Sequence, residues 1–438
     1  MTGRVGGLRR SSAAQAGATG AAGLLLTVVC ATIFFDALDL SITQIALPSI
    51  QAGLHISTSA LPWVATAYVV TYGGFLLLGG RAGDLIGARP VFLTGLAIFG
   101  AASLVCGLAG DGGILIGARA VQGVGAALTV PTAVAMLATR FPEGPARNRA
   151  FATFTAAAAS GFSAGLVSGG LITGGLSWRW IFLAKVPLIA AMLIAATASV
   201  PRSGVRRRGG YDLGGALTAT IGTVLLLYGI TQAGNPAADA TAAAVPLTVS
   251  LAVLVSFVII ERRSGAPLLP TRLVRIRGLA STDTAALAVL AAPFGVSFVV
   301  TIYLQDVLHY SPMNTALTLL PGSIVSALVG RYAAPRALDR FGLRAVYAAG
   351  FFLVAGGNAL LMALAPGRAV LLIVTATLIS LGAGMGLTYP AATVGGVAQT
   401  DPADHSTAAG LNNTALQLGG GIGLAAVAAA VTVGLDGE

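Results

Sequence analysis

Two aspartates three residues apart, Asp36 and Asp39, stand inside an apolar stretch over residues 23–48, and Arg119 stands inside another over 113–138. On a helix that spacing puts both carboxyls on nearly one face. A carboxylate at membrane depth is costly, so it faces a partner or a wet cavity. Burial and a nearby cation act on a carboxyl in opposite senses, so an acid beside an arginine can be tuned to exchange a proton. Asp39 lies about nine residues before the end of its helix near Pro48, roughly 13 Å, and Arg119 about six residues from the end of its own, roughly 9 Å at 1.5 Å per residue. These depths allow the two to meet. The expectation is that Asp39, with Asp36 as a second candidate, exchanges a proton while Arg119 stabilises the ionised state. The competing reading is a fixed ion pair that serves packing alone.

The elements that must position these groups are about thirteen apolar stretches: 23–48, 60–80, 90–109, 113–138, 150–175, 181–200, 213–232, 244–262, 279–304, 314–334, 345–365, 369–392 and 407–434. Most reach the roughly 20 residues that cross a bilayer core as helix. Arginine in the gaps sits almost entirely in every second one, those opening at residues 1, 81, 139, 201, 262 and 335, as in Arg9 and Arg10, Arg147 and Arg149, Arg206 to Arg208, Arg275 and Arg277, and Arg340 and Arg344. The intervening gaps hold only Arg179 and Arg368. That alternation is the positive-inside signal and predicts a polytopic membrane protein with a cytoplasmic N-terminus. Composition agrees. Of 438 residues, 56% are hydrophobic and 9% charged, where a water-soluble domain carries about a quarter charged.

The net charge of +10 is explained by these loops, whose arginines are dispersed without interleaved exposed aromatics, so a nucleic-acid partner is not expected. Cys30 and Cys106 lie within apolar stretches and read as packing residues; no metal-ligand spacing occurs, and His55, His309 and His405 read as loop residues. One lysine, Lys185, falls near an outer helix end. It is expected to reach for water, or else to attract an anionic group.

A loop pattern repeats. Gly80-Arg-Ala-Gly-Asp84-Leu-Ile-Gly87-Ala-Arg89 follows the second stretch, and Pro335-Arg-Ala-Leu-Asp339-Arg-Phe-Gly342-Leu-Arg344 follows the tenth. Both contain Asp-x-x-Gly-x-Arg, as expected of a duplicated transporter. Glycine suits a tight turn there, and the acid can cap a helix N-terminus or pair with arginine. The chain therefore divides into a cytoplasmic tail (1–22), a six-helix bundle (23–200), basic linkers around two extra spans (201–278), and a C-terminal bundle (279–438). The last is expected to lack its final helix, because only four residues follow 434.

These motifs carry a specific resemblance. The chain resembles the major facilitator superfamily, and within it the fourteen-helix drug:proton antiporter branch. Leu38-Asp39-Leu-Ser-Ile-Thr-Gln-Ile-Ala-Leu-Pro48 is similar to that branch's first-helix signature. The Asp84, Gly87 and Arg89 loop resembles the superfamily's loop motif, with Leu85 and Ala88 where basic residues are usual. Arg119-Ala-Val-Gln122-Gly123-Val-Gly125 resembles its arginine motif. Gly161, Gly165, Gly169 and Gly170 have the spacing of the antiporter motif, with Leu166 in place of proline. Trp178-Arg-Trp-Ile-Phe-Leu-Ala-Lys185-Val-Pro187 follows as in this branch, with Lys185 where asparagine is customary. Tyr211-Asp-Leu-Gly-Gly, Tyr303-Leu-Gln and Gly410-Leu-Asn-Asn add weaker matches.

The resemblance implies an all-α membrane fold of two pseudo-symmetric helical bundles plus two linking helices. It implies export of a hydrophobic drug or metabolite, cations among them, by alternating access, with Asp39 and Arg119 in the coupling. Tyr68, Gln122, Phe294, Tyr303, Asn412 and Gln417 are candidates to line the cavity, each with packing as the plainer alternative. The expected energy source is a proton gradient with no cofactor. The expected partners are substrate, protons and lipids, in a monomer in a bacterial plasma membrane. Two other readings are open: an importer or uniporter of a nutrient, and a non-transporting scaffold or sensor. No nucleophile, base and orienting group form an enzymatic constellation.

Overall fold

A computed structural model describes residues 3–57, 60–61, 63–200, 213–233, 239–264, 273, 276–363, 369–398 and 400–435. The basic stretch Arg206 to Arg208, Tyr211, Arg275 and Arg368 lie outside the described residues. All regular structure among the described residues is helical. The helices are α1 (Gly3–Leu54), α2 (Trp63–Ile86), α3 (Ala88–Leu108), α4 (Gly112–Arg140), α5 (Pro145–Gly175), α6 (Trp180–Leu183), α7 (Lys185–Ser199), α8 (Leu213–Ala233) and α9 (Ala240–Arg263). They continue as α10 (Arg277–Ile302), α11 (Pro312–Leu328), α12 (Ala334–Leu360), α13 (Ala369–Thr377), α14 (Met385–Gly395) and α15 (His405–Leu435). Wide π-type turns over Tyr303–Val307, Val329–Ala333 and Leu378–Gly384 extend α10 and link α11 to α12 and α13 to α14.

Start signals in the sequence explain the boundaries. Asp111 caps α4 by accepting from the Ile114 amide at 2.9 Å, and Ser311 caps α11 by accepting from Asn314 at 3.2 Å. Proline opens α5 and α11, where its missing N–H costs nothing.

Among the described residues ten helical runs are long and apolar enough to cross a membrane. Two expected spans, 314–334 and 345–365, fall in one run, Met313–Ala363, and 213–232 is represented by the shorter Leu217–Ile230. The repeated loop is also tighter than a loop. Helix α2 continues through Gly80 and Asp84 to Ile86, leaving Gly87 at φ 109° as the only break before α3. Its counterpart Gly342, at φ 76°, is the one non-helical residue inside α12. Both angles are left-handed backbone that glycine adopts without a Cβ penalty.

Helix α1 packs on α5, and α2 and α3 pack on α4; in the second half α10 packs on α15, and α12 on α14. Helices α8 and α9 pair with each other, and α8 leans on α2. The halves meet where α15 lies on α2 and α11 on α5. Phe92, Phe151, Phe154 and Leu137 fill one core, Ile42, Ile50, Leu115 and Phe182 a second, and Ala286, Ala391 and Leu416 a third. Outward, large apolar side chains such as Ile194, Leu251 and Phe352 are exposed. Inside, charge is buried. This inversion suits a lipid solvent.

Candidate functional site

Small residues bring the site together. An added Cβ at Gly161 would collide with the Phe34 carbonyl oxygen, and one at Gly165 with Ser41 and the Leu38 carbonyl at 2.6 Å. At Gly169 it would press Ile45 at 3.0 Å. These three glycines therefore seat α5 against the segment of α1 that carries both acids, the role small residues play in lipid. Gly170 points elsewhere, toward Met313 of α11 in the other half. Gly123 lets α4 approach α2 so closely that a Cβ there would stand 3.0 Å from the Tyr72 amide nitrogen.

Asp39 and Arg119 are both 0% exposed and form a salt bridge. Gln122, one turn along α4, accepts from Arg119 Nη1 at 2.8 Å and donates to Asp39 Oδ1 at 3.1 Å. Arg119 Nε donates to the Val64 carbonyl at 2.9 Å, while its Nη2 is buried with no hydrogen-bond partner among the described residues. The guanidinium lies over the Tyr68 ring, 4.5 Å from its centroid.

Lys185 corrects an expectation. It does not reach for water: it is 3% exposed, and its Nζ forms a second salt bridge to Asp39. A single helical turn at Ala184 joins α6 to α7 without leaving helical backbone, and Lys185 opens α7 facing inward, beside the Phe182 ring at 5.0 Å. The carboxylate of Asp39 supplies the anion that makes this burial tolerable.

Asp36, 5% exposed, has different company. Tyr68 Oη donates to its Oδ1, and Tyr72 is a second phenol facing it. It lines a small cavity of about 10 Å³, with Thr32, Thr129, Phe99 and Met192, between α1, α3, α4 and α7. That is about the least space that holds one water.

Asp39 and Arg119 thus meet, at depths along α1 and α4 that allow it. Tyr68 and Gln122, candidates to line a cavity, are fully buried and bond to Asp36 and Asp39. Asn412 donates at 3.0 Å to Asp283, a membrane-embedded acid with no signature around it in the sequence. Gln417 is half-buried where α15 meets Gly73 of α2, and Tyr303 is half-buried among Val300, Leu304 and Ile373. The Phe294 side chain lies outside the described residues. His405 is not a loop residue: it opens α15, is 2% exposed, and bonds the Thr400 carbonyl at 3.1 Å.

The repeated loop forms two cross-half contacts. Asp84, 4% exposed, accepts from the Thr407 amide at 2.9 Å and from its hydroxyl, capping the first turn of α15. In the second copy Asp339 accepts from Asn148 in the first turn of α5. Gly80 is buried against Gly410 of α15. Arg89 donates to the Thr197 carbonyl in the last turn of α7 at 2.7 Å, while Arg344 is exposed. Each acid therefore ties its own half to the N-terminal turn of a helix in the other.

The sequence profile of the Major Facilitator Superfamily matches residues 29–424. The chain is 38% identical over 429 residues to the cephamycin export protein CmcT of Amycolatopsis lactamdurans, covering 96% of this chain and 87% of that protein. It is 35% identical to the puromycin resistance protein pur8 of Streptomyces alboniger, covering 91% and 80%. In fold it is similar to the human organic anion transporter MFSD10, with a TM-score of 0.66 at 16% identity over 92% of each chain. It is also similar to the proton:xylose symporter XylE, with a TM-score of 0.63 at 15% identity over 96% and 90%.

Proposed function

Since the chain belongs to the Major Facilitator Superfamily, we propose that this membrane transporter is a proton-coupled exporter of hydrophobic antibiotics or metabolites. The observation that carries the reading is the buried acid pair Asp36 and Asp39, set against Arg119 inside a helical bundle. Ionisable groups held at membrane depth mark ion and substrate pathways. The relatives named for cephamycin export and puromycin resistance support the direction and the substrate class. In this reading the protein works as a monomer in a bacterial plasma membrane, with the arginine-rich face in the cytoplasm and the proton gradient as its energy source. The acids Asp36 and Asp39 are balanced by Arg119 and Lys185, so the cluster offers no net negative charge to a cation. Selection then rests on apolar contact more than on substrate charge.

The test is resistance. Expression in an exporter-deficient bacterial host should raise the inhibitory concentration of some compounds in a lipophilic antibiotic panel that includes puromycin. A protonophore and Asp39→Asn should each abolish the rise. Substrate accumulation in expressing cells, with no gain of resistance across the panel, would overturn export in favour of uptake.

The two cross-half contacts act in this reading as latches that hold the cytoplasmic ends together. Losing a side-chain cap costs about 0.5–2 kcal/mol, and about 1 kcal/mol changes a population ratio about fivefold. Asp84→Ala should therefore shift the halves toward separation at this end by a factor of that order. Double electron–electron resonance between spin labels on the α4–α5 turn and the start of α15 reads the shift as a longer distance population. An unchanged distribution would show that the cap does not hold the closed form.

A further inference from the structure

We propose that the two acids of α1 divide the work: Asp39 stays ionised as the fixed counter-ion of Arg119 and Lys185, and Asp36 takes up and releases the proton. Lys185 is the positioning residue that keeps Asp39 out of the exchange. The proposal rests on the proton-coupled reading above and assigns its chemistry to one carboxyl.

The partners decide it. Asp39 is contacted by the ammonium of Lys185, the guanidinium of Arg119 and the amide of Gln122, and all four side chains are buried. Lysine and arginine have donors and no acceptor. A proton placed on Asp39 would meet those donors head-on and leave two buried cations without an anion. Removing one partner of a buried ion pair is strongly unfavourable for that reason. Asp36 is hydrogen-bonded by Tyr68. A phenol both donates and accepts, so it can donate to the carboxylate and accept from the carboxylic acid. Asp36 thus keeps a hydrogen bond in both protonation states.

Access points the same way. Asp36 lines the small cavity between α1, α3, α4 and α7, whereas Asp39 is 0% exposed. The charged and titratable groups around Asp36 come from every side. They are Asp39 on α1, Tyr68 and Tyr72 on α2, Arg119 on α4, Lys185 on α7, and Tyr389 of α14 in the other half. The α3 wall is apolar, with Leu96 and Phe99. Tyr389 brings the opposite half within range of the Asp36 charge, so movement of the halves can alter its surroundings. In the exchange a hydronium in the cavity gives its proton to an Asp36 carboxylate oxygen and leaves water. On the other side water takes the proton back.

Acid-minus-alkaline infrared difference spectra of the purified full chain test the assignment without a known substrate. The wild type should show the carbonyl band of a buried carboxylic acid at acidic pH. Asp36→Asn should abolish that band, and the charge-balanced double variant Asp39→Asn with Lys185→Asn should retain it. Tyr68→Phe, which keeps the ring, should move the band by removing its hydrogen bond. A band that survives Asp36→Asn, or that is unmoved in Tyr68→Phe, overturns the assignment; loss only in the double variant returns the proton to Asp39 and leaves the coupled reading standing. No band in the wild type would instead reject the proton-coupled reading itself.

Discussion

Asp39→Asn destabilises the folded chain by about 3–5 kcal/mol, the usual penalty for stripping the partner from a buried ion pair. Here the penalty falls on two cations at once, because Arg119 and Lys185 share the one carboxylate. Thermal unfolding of the detergent-purified protein, followed by size-exclusion fluorescence, reads this as loss of the monodisperse peak at a lower temperature. Lys185→Asn alone should cost much less, since Asp39 keeps Arg119 and Gln122. Combined with Asp39→Asn it should recover much of the lost stability by removing the second stranded cation. Such neighbours are expected to be strongly non-additive. Equal and additive losses in the two single variants would show that the charges are hydrated, not locked together.

Much of this organisation is legible in the residues. Arginine in alternate gaps marks the spans, because an apolar stretch of about 20 residues crosses lipid as a helix with its backbone bonds satisfied and topology is set by charge. The Asp-x-x-Gly-x-Arg repeat locates Gly87 and Gly342, and both carry the positive φ that a glycine turn requires. Depth counting along two helices shows that Asp39 and Arg119 can meet, and in the structure they do.

What stays hidden is rotation about a helix axis and contact across the halves. Lys185 lies near a helix end by count, which favours snorkelling. Its inward aim depends on the rotation of α7 against α1, where Asp39 meets it, and no spacing rule announces that. The same holds for Asn148 with Asp339 and for Asp84 with Thr407, pairs separated by 191 and 323 positions. Tyr68 and Gln122 stand out as polar residues in apolar helices, but only assembly reveals that their partners are Asp36 and Asp39.

Proton movement through α1 is the claim on which the rest depends. Proteoliposomes containing the purified chain and an entrapped pH-sensitive dye, given a gradient of a compound exported in the resistance panel, measure it directly. The wild type should acidify or alkalinise the lumen in step with substrate, and Asp36→Asn should reduce that flux to the passive leak of protein-free liposomes. Undiminished, substrate-dependent proton flux through Asp36→Asn would contradict a coupling role for this carboxyl.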